Sequence, residues 1–520
     1  MGSEESLFQR LKRKQSTCSL NNNSQQMFLP LNIMRQEITE DNVRGALTKD
    51  TGLTATLKLL HLLPEDTLPQ RVVDYATKVF TVLVIIGEPD AIRKILDEGL
   101  TDEHLPLRLA ENEITLISHD EVEFRSFSET MSEQRISEFV EKQWTVLAPI
   151  LDASGEHTDL DRRCPLPFEH TKQAGHGASR LVHKSKLHPS HYSGPESLAN
   201  LEYVATKEFW VEADFLKERE NLRTVASLNH KHLITHLATF TKGTTHYVIF
   251  PWADGGSLRE FWTREDAQPR DRQLFTWSLR QLLGVAEAIE ALHGINCRHG
   301  DMKPENILHF SGPDGGRLVV ADVGVSRSHD HATKLRHAGT TTRATTPSYE
   351  APEAFTHSYV PRARRYDVWS IGCIFLEFAL WLLHDLETII SFGYARHAPD
   401  FEFYLINRDS SDSNRRTEIH PMVTKALKRL RQDPRCKDGT LFDDFLDLIE
   451  NHLLLVEVNQ RAEADELVGR LRNIVQEAEA DPTRLLNDVT SPPEKLRFPR
   501  RTQTGAIEPV NGPIPENRAI

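Results

Sequence analysis

At 520 residues the chain is longer than one ordinary hydrophobic core accommodates, so two or three domains are expected. Hydrophobic residues at 39% and charged residues at 27% are those of a soluble globular protein, and a formal net charge of −14 excludes a general nucleic-acid binder, which needs a basic surface. Five cysteines (Cys18, Cys164, Cys297, Cys373 and Cys436) without C-x-x-C spacing exclude a zinc site or disulfide framework, and imply a reducing compartment, the cytoplasm or the nucleus.

Residues 1–25 are polar, with a basic run from Arg10 to Lys14, and are expected to be disordered. Ser16 follows that run, as Thr502 follows Pro499-Arg500-Arg501 near the other end, and each reads as an accessible phosphorylation site for a basophilic kinase. Deleting residues 1–25 and 480–520 is therefore expected to leave stability unchanged. Residues 26–151 show helical periodicity: PQRVVDYATKVFTVLVIIG repeats apolar residues three and four apart, and PDAIRKILDEG ends at Gly99, a C-cap. Thr130 and Glu133 are spaced as a capping box. This region reads as a helical packing or interaction module, a docking place for a protein partner. Residues 152–164 read as a polar linker, and residues 476–520, Pro-rich and polar, as a disordered tail. The longest apolar stretches, from Val79 and from Ile374, fall short of the ~18 residues a bilayer span needs, the second interrupted by Glu377, and the N-terminus has no apolar leader core.

From Pro165 the texture changes to strands and then to helices. GHGASRLV places Gly175 and Gly177 where a backbone can approach phosphates, with Val182 able to cover a base; Arg180 stands where a third glycine is usual. Val204, Ala205, Thr206 and Lys207 read as a strand delivering a lysine to the α and β phosphates. In FLKERENLRTV, Phe215, Leu222 and Val225 share one helical face with Glu218, which makes Glu218 the partner for Lys207, whereas Glu220 points elsewhere. NILHF, SGPDGG and RLVVADVG read as a β-hairpin with Asp322 at its tip. CRHGDMKPENIL carries Asp301, Lys303 and Asn306 at the spacing of a phosphoryl-transfer loop, a pattern shared by enzymes that modify proteins and enzymes that modify small alcohols.

In this order the motifs resemble the eukaryotic protein kinase superfamily over residues 165–475. The resemblance implies an α+β bilobal fold, a β-rich N-lobe over about 165–253 and a helical C-lobe over about 254–475, behind the helical region. It implies ATP and Mg2+ as cofactors and a protein substrate, while the net charge and the short apolar stretches give the expectation of no nucleic-acid partner and no membrane span. Carried over by position, Phe250 gates the back of the pocket, and Pro251 and Ala253 offer backbone groups to adenine, Pro251 only its carbonyl. Asp301 is the catalytic base, Lys303 the γ-phosphate contact, and Asn306 and Asp322 the magnesium ligands, with Val323 in place of the usual phenylalanine. Ala351-Pro352-Glu353, Asp367 in YDVWSIG and Arg461, the expected partner of Glu353, are protein-kinase parts that a small-molecule phosphotransferase lacks. Lys303 and Thr346 mark serine/threonine specificity. His299-Gly300-Asp301 is a variant without the arginine that reads an activation-segment phosphate, and looks like kinases of filamentous fungi with an N-terminal helical region. Thr340, Thr341, Thr342 and Thr345 are therefore expected to have little coupling to Asp301. A pseudokinase, acting as a nucleotide-binding or scaffolding module, is the alternative function.

Overall fold

The computed structural model describes residues 5–20, 26–47, 67–152, 156–177, 180–194, 202–323, 347–356, 363–396, 402–406, 417–437, 439–489, 494–501 and 507–508. They form two compact units, one of residues 1–216 with 236–252, the other of residues 217–235 with 253–520.

The first unit opens with helix α1 (Leu7–Arg13), started by a Ser6–Gln9 capping box and burying Leu7 and Leu11. This corrects the expectation of disorder over residues 1–25 for the described part, residues 5–20. The composition there is polar, but two leucines four apart make a short apolar stripe, and the surrounding helices supply the core it needs. The centre of that core is helix α2 (Thr77–Ile86), apolar from Val79 onward except for the buried Thr81 and packed among Ile92, Ile95, Phe127, Ile136 and Phe139. Gly87 ends it in a left-handed conformation at φ 80°. Helix α3 (Glu133–Lys142) starts at Ser132 without a side-chain cap, and Thr130 Oγ1 instead donates to the Ser126 carbonyl at 2.7 Å, so the expected capping box is absent. The region is mostly helical, with a small sheet of three two-residue strands between residues 108 and 124.

A six-stranded sheet completes this unit: β1 (His157–Leu160), β2 (Phe168–Gly177), β3 (Arg180–Leu187), β4 (Val204–Phe209), β5 (Ala238–Lys242) and β6 (Thr245–Pro251), in spatial order β1-β5-β6-β4-β3-β2. Strand β1 pairs in parallel with β5 and lies inside the stretch expected to be a linker. Its alternation is too short and polar to announce a strand, and the pairing is supplied by an edge from far along the chain. One sheet face, with Val204, Phe240, Tyr247 and Ile249, buries against Phe168, Leu187, Cys18 and Leu20.

The second unit is helical around α7 (Arg365–Leu383), preceded by α4 (Glu212–Ala226, whose first residues belong to the first unit), α5 (Leu258–Arg264) and α6 (Arg272–Gly294), and followed by α8 (Leu386–Ala395) and α9 (Ala464–Ala480). Among the described residues, α7 is long and apolar enough to cross a membrane, contrary to the length read from Ile374 alone, and its apolar window is wholly buried inside the protein. Hairpin strands β7 (Ile307–Phe310) and β8 (Arg317–Val320) pair as expected. The expectation of a disordered tail is corrected as well for residues 476–489 and 494–501. Leu485 and Phe498 are fully buried, and Arg497 and Lys495 both reach the Asp385 carboxylate, at 2.7 and 2.8 Å, beside the N-terminus of α8.

A prediction follows from these docked ends. Removing residues 1–25 takes Leu7, Leu11 and Leu20 out of apolar surroundings, and at roughly 1.5–3 kcal/mol per buried leucine, less the entropy regained, the cost is a few kcal/mol. A melting temperature lower by roughly 5–10 °C is expected in differential scanning fluorimetry. An unchanged value would show that α1 contributes nothing.

Candidate active site

On the sheet, register decides which residues share a face. Val182 is opposite Lys207, which is opposite Val248; Ala205 is opposite Phe250. Paired and i, i+2 positions point the same way, so Val182, Ala205, Lys207 and Phe250 lie together on the face turned away from the Val204–Ile249 core. Val182, Ala205 and Phe250 are only half-buried there. Lys207 is 7% exposed, its Nζ 5.4 Å from the centre of the Phe209 ring. Gly175 sits opposite Val182 just after a register shift in β2, and Gly177 pairs with Arg180 across residues 178–179, which lie outside the described residues. Pro251 ends β6 opposite Val204. A proline there removes one donor at the strand terminus, where the ladder stops.

In the second unit Ala253 is buried and its carbonyl accepts from Gly256 N at 3.1 Å. Glu218 on α4 is 5% exposed, Leu222 and Val225 are buried beside it in the same turns, and Glu220 is exposed, as the helical face required.

The loop after α6 is held by Asp367 from the N-terminal turn of α7. Its Oδ2 accepts from His293 Nε2 and His299 N, both at 2.8 Å, and its Oδ1 accepts from Gly300 N at 2.8 Å. Burial raises the Asp367 carboxyl, but these hydrogen bonds, led by His293, hold it net below the usual aspartate range. Gly300 has φ 80°, a left-handed backbone that presents its N–H to the carboxylate. His299 Nε2 bonds the Ala321 carbonyl at 2.8 Å, and Ala321 N donates to the Asn306 carbonyl at 2.8 Å, tying the loop to the end of β8.

Asp301, Lys303, Asn306 and Asp322 are thereby brought together. Lys303 Nζ is 2.9 Å from Asp301 Oδ2. Asn306 Nδ2 donates to the Asp301 carbonyl at 2.7 Å and to its Oδ2 at 3.2 Å. With the amide nitrogen committed to Asp301, the Asn306 amide oxygen faces away as a hard donor, which suits magnesium together with the Asp322 carboxylate. Asp322 itself has φ 60°, a left-handed conformation that aspartate tolerates at a cost of about 1–3 kcal/mol, accepted mainly at functional sites. Burial pushes the Asp301 carboxyl above the ordinary aspartate value; Lys303 pulls the other way without overcoming it, and the Asp322 charge adds to the rise. Val323 is 1% exposed, in the same apolar core as Val225. Gly324 and the threonines between 340 and 346 lie outside the described residues.

Beyond the loop, Arg461 forks onto Glu353, Nη1 to Oε1 at 2.9 Å and Nη2 to Oε2 at 3.1 Å, with both side chains buried. A family profile for the protein kinase domain matches residues 190–468, more than half of the chain. The chain belongs to the protein kinase family. Among its relatives are calcium/calmodulin-dependent protein kinase type 1 of Macrobrachium nipponense, 28% identical over 29% of this chain and 41% of that protein, and serine/threonine-protein kinase Sgk1 of Oryctolagus cuniculus, 26% identical over 50% and 53%. Serine/threonine-protein kinase dst2 of Dictyostelium discoideum is 25% identical over 58% of this chain and 22% of its own length. The chain thus spans about half or less of the curated relatives it matches.

Two features of this kinase escaped sequence reasoning. His293 has no local signal, because its partner Asp367 is 74 residues away. The second is a cluster around a buried tyrosine: Tyr349 Oη donates to Glu377 Oε2 at 2.7 Å and accepts from Arg259 Nη2 at 2.6 Å, and Arg259 Nε reaches the more exposed Glu305, in the loop of Asp301, at 3.2 Å. A lone glutamate inside the apolar α7 stretch was its only trace.

Proposed function

We propose that this kinase transfers the γ-phosphoryl group of ATP, with magnesium, to serine or threonine hydroxyls of protein substrates. The observation that carries the reading is the loop in which Asp301 is held by Lys303 and Asn306 while the end of β8 fixes Asp322 beside it. Asp301 accepts a hydrogen bond from the substrate hydroxyl, aims its oxygen and takes its proton as the bond to the γ-phosphorus forms and the bond from that phosphorus to the ADP oxygen breaks, ADP leaving. Lys303, already beside Asp301, opposes protonation of that carboxylate and supplies positive charge where phosphate charge develops. Asn306 and Asp322 would hold magnesium, which when bound neutralises phosphate charge. Lys207 is assigned to the phosphates, and Val182, Ala205, Phe250, Pro251 and Ala253 to the adenine. The anchoring of Glu353 by Arg461 supports a protein rather than a small-molecule acceptor, since it fixes the segment on which a peptide would lie. The cysteine pattern supports a reducing compartment, cytoplasm or nucleus. Gly300 supports activity largely independent of phosphate on residues 326–346.

Mg-ATP at 100 times its dissociation constant should stabilise the folded chain by about 2.7 kcal/mol. Thermal melts with and without millimolar Mg-ATP, and with Asp322→Asn, test this alongside a radiolabelled-ATP assay on a generic basic protein. A shift and label incorporation, both lost in Asp322→Asn, are expected. A shift without incorporation would make the protein a nucleotide-binding pseudokinase, and no shift would remove the ATP site altogether.

A further inference from the structure

The stretch after α1 lies along the free edge of the kinase sheet. Strand β2 is that edge, and a bare edge strand offers unpaired backbone groups. Residues 16–20 cover its start. Ser19 N donates to the Phe168 carbonyl at 2.9 Å, Ser19 Oγ bonds the same carbonyl and Thr171 Oγ1, and Cys18 and Leu20 bury in the apolar cluster that contains Phe168. Ser16 and Thr17 pair with Phe28 and Met27, and Cys18 N donates to the Gln26 carbonyl at 2.8 Å. At the start of this strip Ser16 Oγ donates to Glu169 Oε1 at 3.3 Å.

We propose that Ser16 is a phosphorylation site for a basophilic serine/threonine kinase, and that its phosphate releases residues 16–20 from the edge strand that carries Gly175 and Gly177. Recognition is supplied by Arg13, three residues before Ser16, and Lys12, both exposed. Among the described residues Arg13 has one ion-pair partner, the partly exposed carboxylate of Glu5 at 3.0 Å, a solvent-accessible pair of little strength. Arg10 and Lys14, in contrast, are already engaged by the nearly buried Glu37, at 2.8 and 2.5 Å. In the transfer Ser16 Oγ attacks the γ-phosphorus of ATP, the bond to the ADP oxygen breaks, and the hydroxyl proton goes to the modifying kinase's base. The product carries a charge of about −1.5 to −2 where a hydroxyl had donated to a carboxylate. Among the described residues Glu169 has one ion-pair partner, the His188 imidazole at 4.0 Å. Burial holds His188 below its ordinary range, so near neutral pH it offers no compensating charge. The donor is lost and two anions face each other. Phosphate thus opposes docking and uncovers Phe168 and Thr171 on β2.

The test uses the full chain carrying Asp322→Asn, so that phosphate comes only from an added basophilic kinase catalytic subunit with Mg-ATP. Mass spectrometry should place phosphate on Ser16, and Arg13→Ala should slow its addition. Hydrogen exchange of the Cys18 and Ser19 amides and of residues 168–171 should quicken by roughly tenfold or more, as expected for like charges set a few ångströms apart at a surface. Ser16→Glu in the otherwise unaltered chain should reproduce the faster exchange without any added enzyme, and Glu169→Gln should reduce it. The proposal is overturned if Ser16 stays unmodified while a peptide of residues 9–20 is modified, or if the phosphorylated chain and Ser16→Glu exchange at the unmodified rate or slower, which would mean that the basic run captures the phosphate and tightens docking.

Discussion

Glu353→Gln is expected to cost the fold about 3–5 kcal/mol, the penalty for leaving one partner of a buried ion pair uncompensated. Arg461 spends all five of its N–H groups here: two on Glu353, one on the Arg365 carbonyl and two on the Leu455 carbonyl, with its guanidinium 5.2 Å from the Trp369 ring centre. Glutamine keeps the shape and the hydrogen-bonding oxygen but leaves a guanidinium 1% exposed without its paired carboxylate. Arg461→Lys should be nearly as damaging, because an ammonium cannot reproduce the fork. The double replacement Glu353→Gln, Arg461→Met removes the orphaned charge, so it should lose less than Glu353→Gln alone. Urea unfolding midpoints at constant slope measure these differences. A loss below about 1 kcal/mol for Glu353→Gln would mean that the pair behaves as a surface pair.

The second large effect is catalytic. Asp301→Asn should lower the turnover rate by roughly 10²–10⁴, the contribution of a positioned base, while the melting shift with Mg-ATP persists. Equal loss of affinity and rate would make Asp301 a metal ligand or a structural residue. The pH profile gives an independent readout. The base works only when ionised, and burial raises the Asp301 pKa above the ordinary aspartate value. The rate must therefore fall as pH drops through that raised value, so the acid limb lies above the range of a free aspartate. Lys303 opposes the rise; Lys303→Met removes the opposing cation and should move the limb to still higher pH. A limb that stays in place would separate Lys303 from the ionisation of Asp301.

How much of this was legible in the sequence follows from the range of each interaction. Spacings of two to five residues, Gly175 to Gly177 or Asp301 to Asn306, reflect backbone geometry that any local reading recovers, and the long stripe of α6 needed only helical period. The face shared by Phe215, Glu218, Leu222 and Val225 was likewise read correctly, because one helix carries it. Glu353 and Arg461 were paired by their places in a family pattern, since 108 residues separate them. Gly300 was read as a missing guanidinium; its φ of 80°, which turns the N–H onto Asp367, needs the tertiary structure.

The sequence by itself thus named the candidate residues of the site, the order in which they occur and the helices that bury a full stripe. Only the tertiary structure decided the edges: α1 against the N-terminal core, β1 beside β5, Ser19 on Phe168 across 149 residues, and Phe498 in the second unit. The physical reason is that a long amphipathic segment carries enough apolar surface to declare its own burial, whereas a segment of four to seven polar-rich residues gains order only from a surface that distant parts of the chain have already built.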